Sequence, residues 1–332
     1  MDTEFYDPPL NDRLTMFFSL PPLRIARLLF ELRPERSLHL PLEQRGNVLR
    51  GAFGTTFRSA VCDAACPGPL TCTRRESCAF ARLFEPRCDD GIQPGAKEAP
   101  RPFVFRPPQS KDANFGPDRP LLFELRLFGE AIADAELFIR SFRLLAYTGL
   151  ADCCVRLESV ETLDWMCASQ GSLFREGRMT DFAPVALGLE VPFGSFQSSL
   201  STVAVDFLTP TLLVERNRNL VVPTLTGLIN GVRRRISMLC DLYERTAWEA
   251  DAGAISSAAK LATTVDWQSH SKTPYRRTST RTGQQMPMDG FLGTVVFDGV
   301  DPRLWPLLLM GQEVHAGSHT VWGHGWFRAR LG

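Results

Sequence analysis

Apolar positions in the first half of the chain predict an alternation of strands and helices. Buried strands are indicated by runs or alternations of apolar residues, and helices by apolar residues three and four positions apart. The clearest helix of this half begins near Gln44, and its apolar face includes Leu49, Phe53 and Phe57. The predicted elements are strands at 23–32, 103–105, 121–128 and 154–163 and helices at 44–61 and 131–147.

The second half predicts a similar order. Pro223 suits the first turn of the longest predicted helix, and Asp301-Pro302 suits the cap and first position of another. Residues 165–200 are irregular and carry scattered Gly, Pro and Ser, which favours a domain boundary there. The predicted elements are strands at 201–214, 291–297 and 326–331 and helices at 223–245 and 302–310.

We therefore expect an α+β protein with two mostly antiparallel sheets. The predicted domains are residues 1–165, with a Cys-rich insertion at 62–88, and residues 166–332. The second domain contains a basic segment at 268–288 and a glycine-rich loop at 311–325.

Composition narrows the class of protein only a little. The 37 basic and 37 acidic residues cancel, so an RNA site has to arise from local clustering of charge. The N-terminus lacks a basic signal region, and no apolar stretch is long enough to span a membrane, so we expect a cytoplasmic protein without a membrane partner. In that compartment the nine cysteines are expected to be thiols or metal ligands rather than disulfides.

Four segments resemble the RAMP-superfamily endoribonucleases that process CRISPR precursor RNA. They are GNVLRGAFGTTF at 46–57, the Cys-containing stretch ending in CAFARLFEP with RPFVFRPP after it, YRRTSTRTGQQMPMDGFLG at 275–293, and GQEVHAGSHTVWGHGW at 311–326. The resemblance implies tandem ferredoxin-like (RRM-like) domains and binding of CRISPR repeat RNA. It also implies cleavage within repeats by attack of the RNA 2′-hydroxyl, which yields a cyclic phosphate and mature guide RNA without a catalytic cofactor.

The chain departs from the family pattern at two places. Many relatives carry His where the first helix has Thr55, and Lys and Gly where the last loop has Ser318 and His319. These departures favour, to a small degree, the alternative of a non-catalytic repeat-RNA-binding subunit in a CRISPR effector complex with other subunits. A third hypothesis, a structural adaptor built around the cysteines, accounts for fewer of the four segments.

Histidines are the candidate catalytic groups, because a neutral imidazole accepts the 2′-hydroxyl proton and an imidazolium protonates the leaving oxygen. His39 lies between the first strand and the first helix, and His315 and His319 lie in the glycine-rich loop. For each one, a solvated or buried structural histidine is the competing interpretation. We predict that at least one of the three takes part in the reaction.

RNA contacts are predicted from the basic segment and the glycine-rich loop. Cations follow phosphates, flat side chains stack on bases, and glycines allow close approach of the backbone to a phosphate. A solvated hairpin is the alternative for the basic segment. The predicted RNA-binding residues are Lys272, Tyr275, Arg276, Arg277, Arg281, Gly317, Ser318, Gly323, Gly325 and Arg50.

Four cysteines follow the spacing C-x3-C-x5-C-x5-C in a segment with little apolar content. Four thiolates can close around one structural Zn²⁺ tetrahedrally, although the usual close C-x2-C pairs are absent. Reduced cysteines without a metal are an equally good interpretation of the sequence. The residues concerned are Cys62, Cys66, Cys72 and Cys78.

Overall fold

The computed structural model describes residues 17–62, 66, 68, 72–87, 99–188, 202–269, 276–278, 285–287 and 290–332. The first half forms one antiparallel sheet with helices on one face. The strands of this half are β1 (Arg24–Pro34), β2 (Leu38–His39), β3 (Phe103–Arg106), β4 (Asn114–Phe115), β5 (Leu121–Phe128), β6 (Val155–Leu163), β7 (Ser169–Arg175), β8 (Arg178–Met179) and β9 (Leu187–Gly188). Strands β2 and β4 pair with each other as a two-stranded ribbon, and the other seven form the sheet. The helices of this half are α1 (Arg45–Val61), α2 (Ala135–Arg143) and α3 (Leu145–Thr148), with a π-helical turn at Phe80–Phe84 and a 3₁₀ helix at Gly129–Asp134.

The second half forms a four-stranded antiparallel sheet. The strands of this half are β10 (Thr202–Thr211), β11 (Val214–Glu215), β12 (Arg218–Asn219), β13 (Thr263–Ser269), β14 (Arg276–Thr278), β15 (Gln285–Pro287), β16 (Phe291–Asp298) and β17 (Phe327–Leu331). Strands β10, β13, β16 and β17 form the sheet, whereas β11 pairs with β12 and β14 pairs with β15 in separate two-stranded ribbons. The helices of this half are α4 (Leu225–Tyr243), α5 (Ala252–Leu261) and α6 (Trp305–Val314), with 3₁₀ helices at Pro302–Leu304 and Thr320–Trp322.

Strand order is the same in both halves. The first sheet runs β3-β5-β1-β6 and continues into β7 and β8, and the second runs β13-β16-β10-β17. Each half therefore has the chain order strand, helix, strand, strand, helix, strand, and the strands pair antiparallel. The α+β class and the antiparallel sheets predicted from the sequence are confirmed.

The first sheet extends past the predicted boundary at residue 165. Strand β7 pairs with β6, and β9 returns to pair Leu187 with Ile25 of β1. Strands β7 and β9, which lie past residue 165, therefore belong to the first sheet. The prediction also omitted α5, which buries only the short stripe of Ile255, Ala258 and Ala259, and β13, whose residues are largely exposed.

The two halves share a hydrophobic interface through the second face of the first sheet. Ala26, Leu28 and Phe30 of β1 pack with α1 and α2, while Ile25 belongs to the core of the second half. Val104 and Phe128 from neighbouring strands join Ile25 there. Alternate residues of one sheet thus serve two cores. In the described part of the chain, no helix is both long enough and apolar enough to cross a bilayer.

Candidate functional site at the junction of the two halves

The glycine-rich segment connects the two halves of the protein. Gly311 lies within α6 and not in the loop predicted from 311, so the loop itself spans 315–325. On the side of the second half, the amide of Ser318 donates to the Leu212 carbonyl over 3.1 Å. On the side of the first half, Trp322 packs closely on α1. A Cβ added at Gly46 would clash with the carbonyl oxygen of Trp322.

Glycine in this loop is required by backbone packing. Gly325 has φ +73°, which favours glycine, and a Cβ there would overlap the Ala316 carbonyl oxygen. A Cβ at Gly323 would come within 2.9 Å of the Phe105 carbonyl oxygen at the end of β3. The predicted phosphate-binding role of Gly317, Gly323 and Gly325 therefore stays a prediction, since the contacts seen are with protein backbone.

Aromatic side chains hold a cation beside the loop. The guanidinium carbon of Arg50 on α1 lies 4.4 Å from the Phe84 ring centre and 5.4 Å from that of Trp322. Cation–π contact of this kind fixes a guanidinium with its charge retained. Thr55, one turn further along α1, is exposed on the same helix, where its hydroxyl donates to the Gly51 carbonyl.

His39 is exposed at the end of β2, directly before α1. Its Nδ1 lies 2.9 Å from Oδ1 of Asn114 on the paired strand β4. Because an amide oxygen only accepts hydrogen bonds, Nδ1 carries the proton in the neutral ring. Nε2 is then the atom with a lone pair, as a general base requires.

His315 is fully buried, which the sequence prediction of a catalytic role did not anticipate. Its Nδ1 lies 3.0 Å from the His324 carbonyl, and its ring stacks parallel to Trp326 at 6.2 Å. Burial, followed by the charges of Arg106 and Arg235, holds the pKa of His315 well below its ordinary value. A neutral imidazole without access to solvent cannot exchange a proton with RNA, so we withdraw His315 from the catalytic set.

His319 is the part-exposed imidazole of the loop. Its backbone has φ 63°, and its ring lies 4.7 Å from the Trp322 ring and 6.1 Å from that of His324. Burial and then the neighbouring His319 lower the pKa of His324 to about 4, so His324 is neutral at neutral pH. Of the three histidines in this loop, His319 is thus the one placed to exchange a proton with a ligand.

The predicted basic segment falls mostly outside the described residues. Lys272, Tyr275 and Arg281 lie there. Arg276 and Arg277 lie on β14, which pairs with β15 as a two-stranded ribbon. Their RNA-binding role stays a prediction.

Comparison with known proteins matches a different family model to each half. Residues 22–181 match a family described as the AF_1859_N N-terminal domain. Residues 205–327, which include the loop with His319, match the CRISPR-associated endoribonuclease Cas6. The second half is therefore similar to Cas6 endoribonucleases.

Similar proteins align over nearly the whole length of this chain. An uncharacterized protein of Archaeoglobus fulgidus is 26% identical over 324 residues, 95% of this chain and 100% of that protein. A solved Cas6 in a substrate mimic complex matches with a TM-score of 0.50 and 17% identity over 93% of this chain and 100% of that one. A chain of a partial Cas6-RT-Cas1–Cas2 complex matches with a TM-score of 0.54 and 10% identity over 96% of this chain and 47% of that one. The structural likenesses show the fold.

A buried charge network joins α6 of the second half to the first sheet. Glu313 of α6 accepts from Arg126 Nε over 2.7 Å and lies 3.2 Å from Arg106 Nη2. Arg27 Nε is 3.8 Å away, and Glu124 pairs with Arg126 over 2.6 Å. Burial alone would raise the pKa of Glu313, but the arginines outweigh it and hold that pKa far below its ordinary value. Sequence analysis missed this network, although charged residues at core-facing strand positions signal it.

The four cysteines of the insertion line a single small pocket with Arg58 and Phe80. Cys62 ends α1 as its C-cap, and Cys78 directly precedes the helical turn that contains Phe80 and Phe84. Cys66 and Cys72 lie on the connecting stretch, of which only isolated residues are described. The four cysteines that the sequence predicted as zinc ligands therefore lie around one pocket.

A second concave surface lies at the opposite end of α1 from the glycine-rich loop. It encloses about 940 Å³ and is lined by Arg140, Arg143 and Arg156 together with Tyr147, which is 85% exposed. Glu158 and Glu176 also line it. We call this surface the α2–α3 groove.

Proposed function

We propose that this protein binds CRISPR repeat RNA at the junction of its two halves and cleaves it without a metal ion. The observations that support the proposal are that His39 lies on β2, the strand that precedes α1, and that Trp322 of the loop with His319 packs on Gly46 at the N-terminal end of α1. Residues 105–114 run between them, since Phe105 packs on Gly323 and Asn114 binds His39.

The strand order of each half supports a finer description of the fold. Both halves have the β-α-β-β-α-β order and the antiparallel pairing of ferredoxin-like domains. We therefore infer a tandem ferredoxin-like protein whose junction carries the site.

The proposed reaction is an attack of a ribose 2′-hydroxyl on the adjacent phosphorus. His39 Nε2 takes the 2′-hydroxyl proton as the new P–O bond forms, and Asn114 keeps the proton on Nδ1 throughout. The P–O5′ bond breaks, and His319 as imidazolium protonates the departing 5′-oxygen. The products are a 2′,3′-cyclic phosphate and a 5′-hydroxyl end, and no atom is supplied from outside the RNA.

Charge stabilisation and positioning supply the rest of the rate enhancement. Arg50, held between Phe84 and Trp322, places a positive charge beside the loop where the phosphorane charge develops. In-line geometry requires the RNA strand to be fixed on both sides of the scissile phosphate. Other CRISPR proteins are proposed as partners because a similar chain occurs in a Cas6-RT-Cas1–Cas2 complex.

The direct test is a cleavage assay with a CRISPR repeat RNA in EDTA, run beside the same RNA with a single 2′-deoxy nucleotide at the cut site. We expect one cut in the first RNA, with a cyclic phosphate end, and none in the second, which binds equally well. Tight binding with no cut in either RNA would favour the alternative, a non-catalytic binding subunit. A cut in the 2′-deoxy RNA, or one that requires added Mg²⁺, would overturn the mechanism.

A further inference from the structure

Four thiols converge at the end of α1, remote in sequence from the histidines of the proposed site. Besides lining one pocket, the thiols interact in pairs: Cys62 with Cys78, Cys62 with Cys66, and Cys66 with Cys72. We call these four residues the cysteine cluster. In a tetrahedral zinc site with Zn–S bonds of about 2.3 Å, sulfurs lie about 3.8 Å apart, so mutual contact is what such a site requires.

We propose that the cysteine cluster binds one Zn²⁺ as a structural tetrathiolate site. In the described part of the chain, no group of three or more His, Cys, Asp or Glu side chains is assembled to hold a metal ion as it stands. Binding would therefore draw the four sulfurs a short distance inward. Two of them start from fixed points, because Cys62 caps α1 and Cys78 is anchored by the Phe80–Phe84 turn in the first core.

Groups around the cluster suit a thiolate site. Four thiolates on one Zn²⁺ leave a net charge of −2, and Arg58, which lines the pocket, supplies a nearby positive charge. The backbone N–H of Gly68 donates a hydrogen bond to the Cys66 sulfur, which also interacts with Cys72 and Cys62. Backbone N–H donors to metal-bound sulfur are a common outer-shell feature of such sites.

The cysteine cluster holds its thiol groups close to one another, since the Cys62 side chain interacts with those of both Cys78 and Cys66. Four adjacent thiolates repel one another, whereas a bound Zn²⁺ deprotonates its thiol ligands outright. Among the described residues between Cys62 and Cys78, none is a buried apolar side chain, so metal binding would supply the stabilisation that a hydrophobic core supplies elsewhere.

The test measures zinc in the full chain purified without chelator. We expect about one zinc per chain in the wild type, near zero in Cys72→Ser, and about one in the control Cys154→Ser, whose thiol lies outside the cluster. Trypsin should cleave after the exposed Arg74 faster once zinc is removed, and adding zinc back should restore resistance in the wild type and in Cys154→Ser but not in Cys72→Ser.

Cobalt substitution keeps the test independent of variant folding. Wild-type protein stripped of metal and titrated with Co²⁺ should show thiolate-to-cobalt charge-transfer absorption that saturates at one equivalent. Wild-type zinc below about a tenth of an equivalent, together with no cobalt–thiolate absorption, would overturn the proposal. None of these readouts depends on RNA cleavage.

Discussion

Replacing His39 by alanine should lower the single-turnover rate of repeat cleavage by about 10²- to 10⁴-fold, the usual contribution of a general base. Binding should be little changed, because the exposed imidazole acts on the 2′-hydroxyl proton and provides little contact area. The measurement is the cleavage rate at saturating protein together with the dissociation constant for a 2′-deoxy repeat RNA, which cannot be cut by the proposed mechanism.

Two companion variants separate catalysis from local structure. Gln109→Ala removes a side chain from the same 105–114 segment, where it bonds only the Pro107 carbonyl, and should leave the rate unchanged. Asn114→Ala removes the acceptor that fixes the His39 tautomer and should give a smaller loss than His39→Ala, with a shifted pH–rate profile. A His39→Ala enzyme that cuts at the wild-type rate would remove His39 from the mechanism.

Replacing Glu313 by glutamine should destabilise the protein by about 3–5 kcal/mol, the usual cost of breaking a buried ion pair from one side. The substitution preserves shape but leaves Arg126 and Arg106 buried without their shared negative charge. Glu313 lies on α6, and its partners lie on β3 and β5 of the other half. The substitution should therefore weaken the contact between the two halves.

The matched control for Glu313→Gln is Glu136→Gln, which removes the carboxylate of an exposed pair with Arg140 on α2. Exposed pairs contribute about 0–1 kcal/mol. Urea unfolding of both variants provides the comparison. If the two variants lost equal stability, the network would contribute no more than a surface pair and would not hold the halves together.

Elements that bury a continuous apolar stripe could be predicted from the sequence. Helix α4 was placed within two residues at each end because its stripe is long, although Pro223 precedes the N-cap Thr224 instead of lying in the first turn. Helix α1 was placed equally well, at 44–61 against the observed Arg45–Val61. The local pattern of apolar residues is sufficient to predict a helix whose structure is decided by burial of one face.

Features set by distant contacts could not be predicted from local pattern. Strand β13 is an edge strand with mostly exposed residues, so its side chains carry no apolar alternation. The sequence places His315 and His319 four residues apart in similar surroundings, yet packing against Trp326 buries only the first. The pairing of His39 with Asn114 joins residues 75 positions apart, and Asn114 lies in a segment predicted to be loop.

The location of the active site can be tested most directly by photocrosslinking. A repeat RNA with a 2′-deoxy nucleotide at the cut site and 4-thiouridine next to it would be bound, irradiated and digested, and the crosslinked peptides identified by mass spectrometry. We expect crosslinks to peptides that contain His39 and to peptides from the 315–325 loop. Crosslinks confined to the α2–α3 groove, with none in either peptide, would contradict the placement of the scissile phosphate at the junction of the two halves.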